Sequence, residues 1–212
     1  MRPVTPEELT RAKQVLEGRD YWYFDELQPK AKERAVNDYA SDFGQGYDWW
    51  EYTFEDAVTQ FKTLGVATDV KQLYFAGFSS QGDGACFTGG YSYSRGSSKV
   101  IRSDTNDTEL HRVARELAAI QRRYFYRLTA TVVKTSSQYA HERTVDVDCD
   151  SGQEGRDVEA GDAEAVQELL RDLMRWLYKR LETEYDYQSC GEGAREYLRS
   201  EDYHFDEEGK LL

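Results

Sequence analysis

The residues with the strongest claim to chemistry lie between Gly77 and Phe87, in the run Gly77-Phe78-Ser79-Ser80-Gln81-Gly82-Asp83-Gly84-Ala85-Cys86-Phe87. Its closely spaced glycines permit positive φ and close approach of a ligand or another backbone. Ser80, Gln81 and Asp83 stand at the loop tip as candidate binding residues. Cys86 would be a nucleophile if a base stood beside it, and His111 and His141 are the histidines that qualify. The competing reading is a demanding hairpin turn whose Asp and Gln bond their own backbone, and turn chemistry favours it. A phosphate cradle is a poor fit, because the Walker spacing is missing and Asp83 opposes an anion.

A second group is acidic: Glu142, Asp146, Asp148 and Asp150. Asp146-x-Asp148-x-Asp150 resembles the opening of a calcium loop, with Asp157 at the twelfth position. Ser151 replaces the glycine at the sixth position, the twelfth residue is Asp instead of Glu, and the run begins on a strand. No metal and no cofactor are therefore expected. An exposed edge strand kept soluble by charge accounts for the pattern. The same spacing also permits mimicry of nucleic-acid phosphates, since alternate residues on a strand lie ~6.5–7 Å apart. This face is the candidate surface for a protein partner. His111 and His141 read as structural histidines, and no catalytic triad or carboxylate pair stands out. Trp49-Trp50-Glu51-Tyr52 fits a helix core better than a recognition patch.

The elements that must hold these residues follow from periodicity. Thr5-Pro6-Glu7-Glu8 opens a first helix with a capping box, and Leu9, Ala12, Val15 and Leu16 form its apolar stripe. Tyr21-Trp22-Tyr23-Phe24 reads as a short strand. Pro29 starts a second helix that Gly44 and Gly46 break, and a third runs from about Trp49 to Leu64. Lys71–Phe78 and Ala85–Tyr93 form a first hairpin, with a bulge or bend at Gly89-Gly90. Asn106 caps a fourth helix. Tyr124–Lys134 and Tyr139–Cys149 alternate as a second hairpin, with Ala140, Glu142, Thr144, Asp146 and Asp148 on one face. Asp162 caps a long helix, and the segment from Glu192 begins helical. The expected fold is a single α+β domain over residues 1–212: an antiparallel sheet built from two hairpins, with helices packed on one face.

Bulk composition narrows the partners. The chain has 212 residues, with 27 Lys and Arg against 40 Asp and Glu, a net charge of −13. A field of that sign repels nucleic acid and anionic membranes, so neither is an expected direct partner. The basic cluster Arg112, Arg115, Arg122, Arg123 and Arg127 is interleaved with apolar positions and reads as a solvated helix face. Aromatic residues at 14% supply buried area for a core. Cys86, Cys149 and Cys190 are odd in number and lack C-x-x-C spacing, which suits reduced thiols in a cytoplasm. The polar start, Met1–Thr10, does not read as a secretory signal.

Several segments together resemble a known set of proteins. They are Phe24-Asp25-Glu26-Leu27, Ala31-Lys32-Glu33-Arg34-Ala35, Trp49-Trp50-Glu51, the Gly77–Phe87 loop and Tyr203-His204-Phe205-Asp206-Glu207-Glu208-Gly209. The chain is similar to small proteins of bacteriophages and bacterial mobile elements, some labelled antitoxin of toxin–antitoxin stability system. The resemblance carries no catalytic residues over. It implies a phage accessory protein in the bacterial host cytoplasm. The leading expectation is an inhibitor or modulator of a host protein or protein–nucleic-acid complex, including an anti-CRISPR-like inhibitor on a nucleic-acid-binding surface. The alternatives are neutralisation of a partner toxin and an enzyme using Gln81, Asp83 and Cys86.

Overall fold

The computed structural model describes residues 5–43 and 48–212. The expected helix breakers Gly44 and Gly46 lie outside the described residues. The fold is α+β with antiparallel sheets. By internal packing the chain divides into two compact units: the described residues up to Trp49 together with Glu184–Leu212, and Trp50–Thr183.

The first unit holds α1 (Pro6–Glu17), a 3-10 turn (Phe24–Glu26), α2 (Pro29–Asp42) and α7 (Gly191–Ser200). The Thr5 hydroxyl accepts from Glu8 N, and the Glu8 carboxylate accepts from Thr5 N, so the capping box forms as read. The stripe of α1 faces the other way from a core stripe. Leu9, Val15 and Leu16 are 62%, 77% and 87% exposed, whereas Gln14 is 4% exposed. Polar bonds turn the helix: Gln14 Nε2 donates to Tyr21 O at 2.8 Å, and Lys13 reaches Glu26 at 3.5 Å.

The expected strand at Tyr21–Phe24 is a single bridge, Trp22 to Phe205. Glu26 ends it by accepting the Tyr23 amide and drawing the chain into the 3-10 turn. Phe24, Leu27, Ala31, Ala35 and Val36 pack with Ala194, Leu198 and Phe205 as the core of this unit. The C-terminal segment begins helical, as expected.

The second unit begins with α3 (Glu51–Leu64), whose Phe54, Ala57, Phe61 and Leu64 are buried. Strands β1 (Val66–Ala67), β2 (Leu73–Ala76), β3 (Gly84–Phe87) and β4 (Gly89–Ser92) follow. Then come α4 (Ser97–Asp104), α5 (Thr108–Arg123), β5 (Thr129–Lys134), β6 (Val145–Asp150) and α6 (Ala160–Ser189). The last residues of α6, from Glu184, belong to the first unit.

Both hairpins form, but they do not share one sheet. β2 and β3 pair alone, while β1-β4-β5-β6 make a four-stranded sheet. The expected second strand of the first hairpin breaks at Thr88, whose amide donates to Gln72 O at 3.0 Å. Gly89 then enters β4 at φ 141°, where a Cβ would strike the Ala67 carbonyl. Only glycine allows this crossing from one sheet to the other.

The second hairpin is shorter than its alternation. Tyr124–Leu128 is a turn with Phe125 and Tyr126 at φ 53° and 63°. Residues 139–144 form a loop, closed by Thr144 N to His141 O and the Thr144 hydroxyl to the same carbonyl. Val66, Tyr91, Ala130, Val132, Val145 and Val147 form the buried face of the four-stranded sheet. α5 reaches that face, where Tyr91 OH accepts from Gln121, and α6 reaches the β6 edge, where Val147 O accepts from Gln167.

Two expected caps shift by small steps. Asp107 caps α5 in place of Asn106, taking the amides of Glu109 and Leu110 at 2.9 and 3.1 Å. Asp162 lies inside the first turn of α6, buried, where Tyr124 OH donates to it at 2.9 Å and Arg123 pairs with it at 2.6 Å.

Candidate functional site

β6 positions the acidic row. Its burial alternates, with Val145 and Val147 inward and Asp146, Asp148 and Asp150 outward. The register sets Asp146 beside Val133, Asp148 beside Thr131 and Asp150 beside Thr129. β6 is an edge strand. Among the described residues none of these three carboxylates is ion-paired. Asp150 also accepts the Gly152 amide at 2.6 Å.

Glu142 does not join the row. The loop 139–144 leaves the strand register, and both Thr144 and Val145 are buried, so the two-residue period fails there. Glu142 lies instead near Arg175 of α6 at 3.8 Å and Arg143 at 3.9 Å. Side chains that alternate along a strand project in parallel and do not converge on a cation. Among the described residues no group of three or more His, Cys, Asp or Glu is placed to hold one.

The Gly77–Asp83 part of the run is a self-bonded turn, and Gly84–Phe87 is β3. Asp83 folds back, and its Oδ2 accepts the amides of Ser79 and Ser80 at 2.8 and 2.6 Å. Asp83 N donates to Ser80 O at 3.1 Å. Ser80 and Gln81 are exposed. Gly84 is needed where it is, because a Cβ there would strike His141. That contact brings the turn beside Tyr139, His141 and Glu142, around an open cleft of about 550 Å³.

Cys86 has the wrong environment for a nucleophile. It is fully buried on β3, and burial pushes its thiol up from its ordinary value. Its polar neighbour is the Thr144 hydroxyl at 3.9 Å. His141 Nδ1 accepts the Arg143 amide at 3.2 Å, and His111 Nε2 is bonded to Thr105 O at 2.8 Å. Both histidines are thus held by backbone.

A polar network escaped the sequence reading. Trp176 Nε1 donates to Asp107 at 2.7 Å, and Arg112 bridges Glu109, Glu116 and Asp172. Burial disfavours the Asp107 charge, yet the Trp176 indole and the two cap amides hold it below its ordinary value. A cleft of about 630 Å³ opens beside these residues. Two of its cations are paired with carboxylates: Arg175 with Glu168 and Asp172, and Arg180 with Asp56 at 3.8 Å, while Lys179 also lines the cleft. The i, i+3 and i, i+4 charges on α5 and α6 were the available signal, and spacing alone cannot show which ones meet across helices.

Residues 49–190 match a domain of unknown function, DUF8835. The match spans well over half of the chain, and the protein belongs to this family. No curated protein and no solved structure matches the chain. Among the described residues no helix is long and apolar enough to cross a membrane.

Proposed function

We propose that this protein acts by binding, and that the Asp146, Asp148 and Asp150 face of β6 docks on a basic surface of a protein partner. The observation that carries this reading is the row of three exposed carboxylates on one edge strand, unpaired among the described residues. Their spacing of ~6.5–7 Å suits a surface that otherwise holds nucleic-acid phosphates. The net charge of −13 supports fast, steered association with a cationic partner and repels nucleic acid itself. The resemblance to phage and mobile-element proteins points to a bacterial host protein or protein–nucleic-acid complex, in the host cytoplasm, as the target. The protein is then an anti-defence inhibitor or modulator that occupies the nucleic-acid site. Burial of Cys86 and the self-bonded Asp83 turn favour binding over thiol catalysis.

The test compares the wild type with an Asp146→Asn, Asp148→Asn, Asp150→Asn variant. Each is immobilised and used to capture protein from nuclease-treated bacterial lysate at low and high salt. The expected partner is held by the wild type at low salt, released by salt or added nucleic acid, and not held by the variant. Equal capture by both proteins, or no partner at any salt, overturns the reading.

A further inference from the structure

The outer edge of β6 carries main-chain groups of its own. Thr135 N donates to Thr144 O at 2.9 Å, which makes that pair a hydrogen-bonded one in the antiparallel ladder. In the same register the pairs Val133–Asp146, Thr131–Asp148 and Thr129–Asp150 are also of the bonded kind. The backbones of Asp146, Asp148 and Asp150 therefore face β5. Those of Val145, Val147 and Cys149 face outward, where no further strand of the sheet follows.

Among the described residues, one of those outward groups has a hydrogen-bond partner. Gln167 Nε2 of α6 donates to Val147 O at 3.0 Å. A side-chain amide here occupies the place where the N–H of a neighbouring strand would stand. Outside the edge lies a cleft of about 440 Å³, bordered by Val147, Cys149, Gln153, Arg156, Ala163 and Gln167.

We propose that this edge receives an extended segment of the partner protein as an added strand, with Lys or Arg at every second position. The inference rests on the acidic-face reading above and gives it a geometry. Residues directly opposite across strands stand with Cβ atoms ~4.5–5.5 Å apart. On the solvent face the incoming side chains meet Asp146, Asp148 and Asp150, so they must be basic. On the other face they meet Val145, Val147 and Cys149, so they are small and apolar. Main-chain bonds supply affinity in such an addition, and the alternate side chains supply specificity. A second copy of β6 is the wrong occupant, because self-pairing brings the two aspartate rows together.

The probe is a short synthetic peptide alternating lysine with valine. Its controls are a peptide of the same composition with the lysines grouped, and two versions N-methylated on one or the other set of alternate amides. Affinity is measured by fluorescence anisotropy on the full chain. With three opposite-charge pairs in register, the alternating peptide should bind about tenfold tighter than the grouped one. One N-methylated set should abolish binding, and the other should leave it intact. Hydrogen exchange of the Val145, Val147 and Cys149 amides should slow when the alternating peptide is bound.

Equal binding of all the peptides with unchanged exchange overturns strand addition, while leaving the acidic-face reading in place. Capture of the lysate partner by the triple Asn variant overturns the acidic-face reading itself.

Discussion

Replacing Glu26 with Gln gives the most direct test of the packing in the first unit. Arg19 Nη1 and Nη2 donate to its two carboxylate oxygens at 2.7 and 2.6 Å, and Tyr23 N donates at 3.1 Å. The Arg19 side chain is 7% exposed, so its charge depends on these bonds and on Glu17 at 2.6 Å. The Arg19 bonds, against an opposing effect of burial, hold Glu26 at about 2 instead of its ordinary 4.5. At 1.36 kcal/mol per pKa unit that is about 3 kcal/mol, and solvent screening at this partly open site reduces it to about 2 kcal/mol. The folded value lies below the unfolded one. The contribution is therefore complete above about pH 5 and is lost as pH falls towards 2. With a urea slope of about 2 kcal/mol/M, Glu26→Gln should lower the unfolding midpoint by about 1 M at pH 7. The gap between the two proteins should close as pH approaches 2, because the wild type then carries a neutral carboxyl as well. A gap of constant size from pH 7 to pH 2.5 would refute the assignment of Glu26 as an ionised partner of Arg19.

Three further outcomes are expected. Asp83→Ala removes the acceptor of two backbone amides and should cost about 1–2 kcal/mol, read as a lower thermal midpoint with the fold retained. Leu16→Ser should change stability by less than about 0.5 kcal/mol, because the side chain already faces solvent; a loss of several kcal/mol would show that α1 is packed on something. In native protein a disulfide reagent should modify exposed Cys190 quickly, while Cys86 reacts only after unfolding. Cys149, pushed up to about 11 by burial, should react slowly.

The α+β class was readable because five of the helices carry long periodic stripes and the paired strands alternate. α3 and α5 bury the residues that their spacing selects: Phe54, Ala57, Phe61 and Leu64 in one, and Leu110, Val113, Ala114, Leu117 and Ile120 in the other. α4 went unread, since its eight residues bury only Ser97 and Ile101 and give no stripe. Periodicity finds a helix without saying which side is inward, and in α1 the bonds of Gln14 and Lys13 decide that against Leu9 and Leu16. Alternation at Tyr124–Leu128 was misleading, because Phe125 and Tyr126 adopt a left-handed backbone that their residue types do not advertise. The same limit split the acidic group. Asp146, Asp148 and Asp150 were readable as one face of a strand. Glu142 is separated from them by the loop that Thr144 closes, a bond that residue types and spacing do not reveal.

The pairing of Trp22 with Phe205 has a consequence for biosynthesis. The two residues exchange amide–carbonyl bonds at 2.9 Å, although almost the whole chain separates them. Phe24, Leu27 and Ala31 likewise await Ala194, Leu198 and Phe205. A ribosome delivers the chain from the N-terminus, so α1 and α2 emerge long before their partners exist. Contacts of such long sequence separation form slowly, and apolar surface left open meanwhile is prone to aggregation. The segment Trp50–Thr183 has its own core and is contiguous, so it can fold while translation continues. In the first unit α1 and α2 are therefore made early and placed late, and the apolar side chains of α2 stay open to solvent during that interval.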